Sequence, residues 1–141
     1  MSEPMYTAEA TARGDGRDGE VASADGVLDE KLAAPAEMGG PGGDFTNPEQ
    51  LFAAGYAACF HGAVRQVAEK AGDRIDGSSV TARVGIGKTE QGALALTVRL
   101  ETSLPGMEEG KANELVAQAH QICPYSNATR GNIVVDVVAT T

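Results

Sequence analysis

From Leu51 to Phe60 almost every position is apolar or small, with neither strand alternation nor a polar stripe. A helix apolar all round has no face for water and must be buried. Its start is marked three times over. Asn47 is an N-cap residue, Pro48 fits the first helical position, and Gln50 stands where a capping-box side chain reaches back. Beyond Phe60 the pattern changes, with His61, Arg65 and Glu69 recurring every fourth residue opposite Val64, Val67 and Ala68. The pattern predicts one helix from Pro48 to about Ala71, its first half buried and its second half half-exposed, closed by a Gly72 cap.

On either side the periodicity shortens. Tyr6–Ala12 alternates loosely and suits a first strand, and Arg13–Gly19 is a charged, glycine-rich loop. Glu20–Ala24 and Val27–Leu32 flank Asp25-Gly26, a two-residue hairpin signal. Ala34–Asp44 reads as loop, because its glycine run lacks the Gly-Lys-Ser/Thr of a phosphate cradle. Ser79–Thr89 and Ala93–Thr102 form a second strand pair around Glu90-Gln-Gly92. Glu108–Ile122 is an amphipathic helix with acidic residues in its first turn, ended at Cys123 because Pro124 cannot continue it. Tyr125–Asn132 reads as a turn or short helix and Ile133–Thr140 as a β-branched strand. The expected fold is α+β, a single domain over 1–141 with antiparallel β-hairpins packed around a long buried central helix. That helix is too apolar for one small chain to cover, which predicts an obligate, interlocked homodimer.

Composition narrows the partners. With 141 residues the chain is long enough to build a core, and a net charge of -9 argues against nucleic acid or an anionic membrane surface. No apolar run approaches the ~20 residues of a membrane span, and Met-Ser-Glu-Pro-Met-Tyr lacks the features of a signal peptide, so a cytoplasmic protein is expected. In that compartment the two cysteines are read as a transient disulfide, a metal site or two inert thiols, not as a permanent staple.

Four residues have the chemistry of a redox site: Cys59, Cys123, Arg17 and Glu49. A neighbouring cation stabilises a thiolate, and Arg17 in the glycine loop is a candidate for that cation, with Glu49 holding its guanidinium bidentately. A second thiol at a helix end beside a proline, in a mobile segment, suits the capture of a sulfenic acid. Residue types alone leave alternatives open. Either cysteine serves equally as a small core hydrophobe, and Arg17 and Glu49 as a loop charge and a helix N-terminal carboxylate. Cys59, His61, His120 and Cys123 are also the ligand types of a structural zinc site. Cys59 and His61, two apart on a helix, point away from each other and argue against it.

Two long stretches settle the direction. Asn47-Pro-Glu-Gln-Leu-Phe-Ala-Ala-Gly-Tyr-Ala-Ala-Cys-Phe60 and Cys123-Pro-Tyr-Ser-Asn-Ala-Thr-Arg-Gly-Asn132 resemble the signatures of the organic hydroperoxide resistance (Ohr) proteins of the Ohr/OsmC family. Arg17-Asp-Gly19, Asp25-Gly-Val-Leu28 and Val84-Gly-Ile-Gly87 are similar too, so the resemblance spans nearly the whole chain. It implies an OsmC-like, intertwined homodimer with two sites at the subunit interface, acting as a thiol peroxidase on alkyl and fatty-acid hydroperoxides. By the same resemblance Cys59 is the peroxidatic cysteine, Cys123 the resolving one, and Arg17 with Glu49 the activating pair. No metal or flavin cofactor is implied, and the implied reductant is a dithiol such as a lipoyl-bearing protein. The alternative within this fold is a redox sensor or binding protein without efficient turnover. Arg13, in the same loop, is a rival for the guanidinium, though the Arg-Asp-Gly context favours Arg17.

Two physical arguments sharpen these expectations. Lowering a thiol from about 8.5 to about 6 gains roughly 10- to 30-fold in thiolate but loses about the same in nucleophilicity. Arg17 is therefore expected to orient the peroxide and stabilise the departing alkoxide. On an unbroken helix, moreover, the ten residues from Glu49 to Cys59 span about 15 Å of axis and about 80° of rotation. Either the helix breaks near Gly55, or the Arg17–Glu49 pair serves Cys59 of a second chain.

Overall fold

The expected helix is present with the expected ends. In a computed structural model describing residues 3–141, α1 spans Pro48–Ala71 without interruption. Asn47 Oδ1 accepts the Gln50 N–H at 2.8 Å, the N-cap bond. The other half of the capping box is replaced, because the Gln50 side chain accepts from the Thr46 hydroxyl at 2.9 Å instead of reaching back to Asn47. At the far end Gly72 takes φ +75°. The Asp73 N–H reaches the Ala68 carbonyl and the Gly72 N–H that of Glu69, a Schellman closure.

The chain divides into two compact units, Met1–Leu51 and Phe52–Thr141. In the first, β1 (Ala10–Arg13), β2 (Glu20–Ser23) and β3 (Asp29–Lys31) form an antiparallel sheet in that order. Asp25 Oδ1 accepts from the Ser23 hydroxyl at 2.6 Å and from the Val27 N–H at 3.0 Å. This widens the hairpin turn, takes Val27 and Leu28 out of the strand, and leaves β3 shorter than expected. β1 also starts later than Tyr6, because β2 ends at Ser23 and offers nothing to pair with beyond the Glu9 carbonyl.

In the second unit, β4 (Ser79–Lys88) and β5 (Leu94–Ser103) pair antiparallel over ten positions. The chain continues through α2 (Glu109–Ile122) and α3 (Pro124–Thr129) into β6 (Val135–Thr140). Glu108 caps α2, its carboxylate accepting the Gly110 and Lys111 N–H groups at 2.9 Å each. Unlike the hairpins, β6 lies parallel to β5, because a helical crossover returns the chain in the same direction.

Burial on α1 differs from the expected division into a buried first half and a half-exposed second half. The fully buried residues are Tyr56, Phe60, Ala63, Val64, Val67 and Ala68, a single face that extends into the second half. Ala54 and Ala58 are exposed, and Phe52, Ala53, Ala57 and Cys59 are half-buried. The physical reason is that the core of this unit, built from Val98, Leu100, Leu104, Leu115 and Val116, covers only one side of the helix. Each large side chain buried there contributes about 1.5–3 kcal/mol. Among the described residues no helix is long and apolar enough to cross a membrane.

One buried polar atom stands out. Thr102 on β5 is fully buried, and among the described residues its Oγ1 finds no hydrogen-bond partner. An orphaned buried hydroxyl costs about 1–3 kcal/mol. Thr102→Val keeps the shape and removes the orphan, so it is expected to raise stability by about 1 kcal/mol in urea titration, with an unchanged m value.

Candidate active site

The first unit holds an ion pair. A single 3-10 turn, Gly16–Asp18, interrupts the loop that the sequence left shapeless, and Arg17 sits in its middle. Arg17 Nη1 alone reaches both Glu49 oxygens, at 2.7 and 3.1 Å, so the pair is not the fork-on-fork arrangement expected. The Glu49 side chain is only 11% exposed while that of Arg17 is 42% exposed, which leaves the guanidinium open to a further acceptor. The neighbouring residues hold the turn in place. Asp18 Oδ1 accepts the Ala34 N–H at 2.9 Å, and a Cβ at Gly19 would lie 2.2 Å from the Arg13 carbonyl oxygen. Arg13 ends β1 opposite Glu20, so Arg17 and not its rival meets Glu49.

The second unit holds the thiols. Cys59 lies half-buried on α1, beside the buried row rather than in it. Cys123 is fully buried at the junction of α2 and α3, and both cysteines are free. Their sulfurs are 3.6 Å apart. A disulfide needs about 2.05 Å, so an approach of about 1.5 Å would join them. Burial pushes the Cys59 thiol above its ordinary pKa, the Tyr125 backbone N–H works against that, and the adjacent Cys123 thiol adds to it.

Tyr125 forms the outer wall. Its ring centroid lies 5.5 Å from that of Tyr56 and 6.1 Å from that of Phe52. It passes so close over α1 that a Cβ at Gly55, one turn before Cys59, would be 2.6 Å from its hydroxyl. Beyond it an open cavity of about 670 Å³ is lined mainly by apolar groups, among them Phe52, Leu96, Pro124, Tyr125 and Ile133. Such a cavity suits a small organic molecule.

Residue types alone missed what lies beneath Cys123. Tyr56 Oη is buried between the Ser126 hydroxyl at 2.8 Å and the Thr129 hydroxyl at 3.0 Å, and Ser126 Oγ also meets His120 Nδ1 at 2.8 Å. The Thr129 hydroxyl donates to the Ser126 carbonyl at 3.3 Å. One polarity then satisfies the whole chain, with His120 Nδ1–H donating to Ser126, Ser126 to Tyr56, and Tyr56 to Thr129. Burial, and Arg130 nearby, hold the His120 imidazole below its ordinary pKa. Cys123 is thus not in a loose segment as expected but in an anchored one. The available signals were the spacing of Ser126 and Thr129, which puts both on one side of a short helix, and a lone tyrosine among small apolar residues. The four zinc-type ligands are not gathered: His61 Nε2 bonds the Ser78 hydroxyl at 2.9 Å, while His120 faces Ser126.

In the second unit an antiparallel hairpin, a parallel return strand and the helices thus hold a close pair of free thiols, the arrangement of a thiol-bearing α+β protein. The OsmC-like protein family profile matches residues 40–138. Over 137 residues the chain is 54% identical to the organic hydroperoxide resistance protein of Xanthomonas axonopodis pv. citri (strain 306), covering 96% of this chain and 94% of that one. The crystal structure of an organic hydroperoxide resistance protein OsmC from Legionella pneumophila superposes with a TM-score of 0.92 at 45% identity, covering 99% of this chain and 100% of that one. That of an organic hydroperoxide resistance protein from Elizabethkingia anophelis gives 0.93 at 45% identity, covering 99% of each. The chain belongs to the Ohr/OsmC family, with organic hydroperoxide resistance proteins as its relatives.

Removing the Tyr56 hydroxyl tests the buried chain. Tyr56→Phe leaves the Ser126 and Thr129 hydroxyls short of a partner in a water-free setting. It is expected to cost about 1–3 kcal/mol in chemical denaturation.

Proposed function

We propose that this protein reduces organic hydroperoxides by cysteine chemistry and so protects against them. The observation that carries the reading is the 3.6 Å approach of Cys59 and Cys123 in a chain 54% identical to an organic hydroperoxide resistance protein. The Cys59 thiolate attacks the terminal peroxide oxygen, the O–O bond breaks, and the alkoxide leaves as an alcohol after taking a proton. The remaining sulfenic acid condenses with the Cys123 thiol, forming the S–S bond and releasing water. A dithiol, such as a lipoylated protein, returns two electrons and two protons. The apolar cavity beside Pro124 and Tyr125 supports an organic substrate over hydrogen peroxide.

Arg17 acts in the transition state. Burial raises the Cys59 thiol, and lowering a thiol pKa gains in thiolate about what it loses in nucleophilicity. A guanidinium anchored through one nitrogen keeps other N–H groups for the peroxide and the developing alkoxide. α1 has no break at Gly55, so helix geometry favours Arg17 and Glu49 of one chain serving Cys59 of a second copy in a homodimer. The half-buried and exposed apolar positions of α1, Phe52 to Ala58, give the second copy a surface to cover.

Adding one equivalent of an alkyl hydroperoxide to reduced protein should consume two thiols, and dihydrolipoamide should sustain turnover. A single oxidation without turnover would instead identify a sensor. Arg17→Lys should lower the rate roughly 10- to 100-fold, with no recovery as pH is raised through the thiol titration. Recovery would mean that Arg17 serves only to ionise Cys59.

The shared site predicts complementation. Cys59→Ser and Arg17→Ala proteins should each be inactive. After subunit exchange between equal amounts, about a quarter of wild-type activity should return, since half the dimers are mixed and each has one intact site. No recovery despite proven exchange would place all four residues in one chain.

A further inference from the structure

Cys123 has no loop of its own. Its N–H donates to the Ala119 carbonyl as the end of α2, and its carbonyl accepts from Asn127 within the first turn of α3. The direction change between the helices therefore falls on this one residue, at φ −66° and ψ 123°. A thiol on such a pivot is aimed by whatever fixes the angle between the two helices.

Two side-chain hydrogen bonds span the pivot, and His120 takes part in both. Three residues before the pivot, its Nδ1 meets the hydroxyl of Ser126, three residues after it, at 2.8 Å. Its backbone carbonyl accepts from Arg130 Nη1 at 2.9 Å, while Arg130 Nη2 donates to Asn127 Oδ1 at 3.3 Å. The Ser126 hydroxyl is tied in turn to Tyr56 on α1, the helix that carries Cys59. One continuous chain of hydrogen bonds thus runs from the end of α2, through α3, to the helix of the partner thiol.

We propose that His120 is a positioning residue for disulfide closure: by clamping Ser126 across the pivot it keeps the Cys123 sulfur within reach of Cys59. The proposal rests on the peroxidase reading above. In the step concerned, Cys123 sulfur attacks the sulfenic sulfur of Cys59. The S–O bond breaks, hydroxide departs with the Cys123 proton as water, and no outside oxidant is needed. Only about 1.5 Å separates the sulfurs from bonding distance, and misplacement by about 1 Å can cost about 10²-fold in such a step. Attack of Cys59 on the peroxide does not involve the Cys123 sulfur, and α3 enters it only through the Tyr125 N–H and the cavity wall, so it depends less on the angle at the pivot.

The test compares His120→Leu, which has no donor, with His120→Asn, whose amide N–H falls near the position of Nδ1–H. Reduced proteins are mixed with tert-butyl hydroperoxide, and sulfenic acid, disulfide and sulfinic acid are followed by quenched-flow mass spectrometry. In His120→Leu, disulfide formation should slow about tenfold or more, and by a much larger factor than loss of the Cys59 thiol. Sulfenic acid then persists and is driven to sulfinic acid by excess peroxide. His120→Asn should recover most of the closure rate. Closure by His120→Leu at the wild-type rate overturns the positioning role alone. Equal slowing in both variants, tracking a shared loss of thermal stability, overturns it too. Failure of the wild-type protein to form the disulfide overturns the peroxidase reading, and the positioning role with it.

Discussion

One helix has to satisfy two opposed demands. α1 must bury an apolar face to be stable, yet it carries a thiol that chemistry has to reach. The buried row runs through Tyr56, Phe60, Val64 and Val67, and Cys59 stands one position to its side. That offset leaves the sulfur half-buried, near enough the core to be held and near enough the surface to react. It also explains why the thiol is pushed toward its protonated form, since partial burial penalises the anion. A tyrosine in the same row creates a second obligation, because a phenol taken out of water needs partners. Ser126 and Thr129 meet that need, and meeting it fastens α3, and with it Cys123, against α1.

Polar chemistry in this protein is therefore concentrated at fixed points. The Arg17 turn is held by Asp18 and by a glycine that no larger residue could replace, and its guanidinium rests on a nearly buried carboxylate. The thiol pair is held by backbone bonds on both sides of Cys123 and by hydroxyls beneath it. In both cases the reactive group projects from a short element whose ends are tied. Preorganisation of this kind spares the reaction the cost of ordering its own groups.

Much of this was legible in the residues, for physical reasons that differ from place to place. The limits of α1 follow from Asn47, Pro48 and Gly72, whose cap chemistry is local and needs no knowledge of the fold. The first hairpin follows from Asp25-Gly26 and the end of α2 from Pro124, again local effects. What was not legible depends on groups far apart in the chain. Tyr56 and Ser126 are separated by 70 positions, and nothing near either one announces the other. The buried face of α1 was misjudged because a uniformly apolar stretch carries no phase, and only the packing of Leu100, Leu115 and Val116 selects which side is covered. The sense of β6 was likewise undetermined, since a parallel and an antiparallel strand read alike at that length. Cys59, Cys123, Arg17 and Glu49 were singled out by residue type and by two long motifs. Their pairing, cation with carboxylate and thiol with thiol, was expected from the same residues and motifs, and the structure supplies its geometry.

The parallel return of β6 has a consequence for how the protein is made. In chain order, α1 emerges long before the strands and helix that cover it, and the crossover that seats α2 is completed only when β6 joins β5. Until then the nascent chain carries Cys59 on an uncovered greasy segment, with no second thiol beside it. A ribosome-bound intermediate of this kind is open to aggregation and to oxidation of a lone sulfur. The thiol that the finished fold sets 3.6 Å from Cys123 is thus unpartnered while the chain is being made.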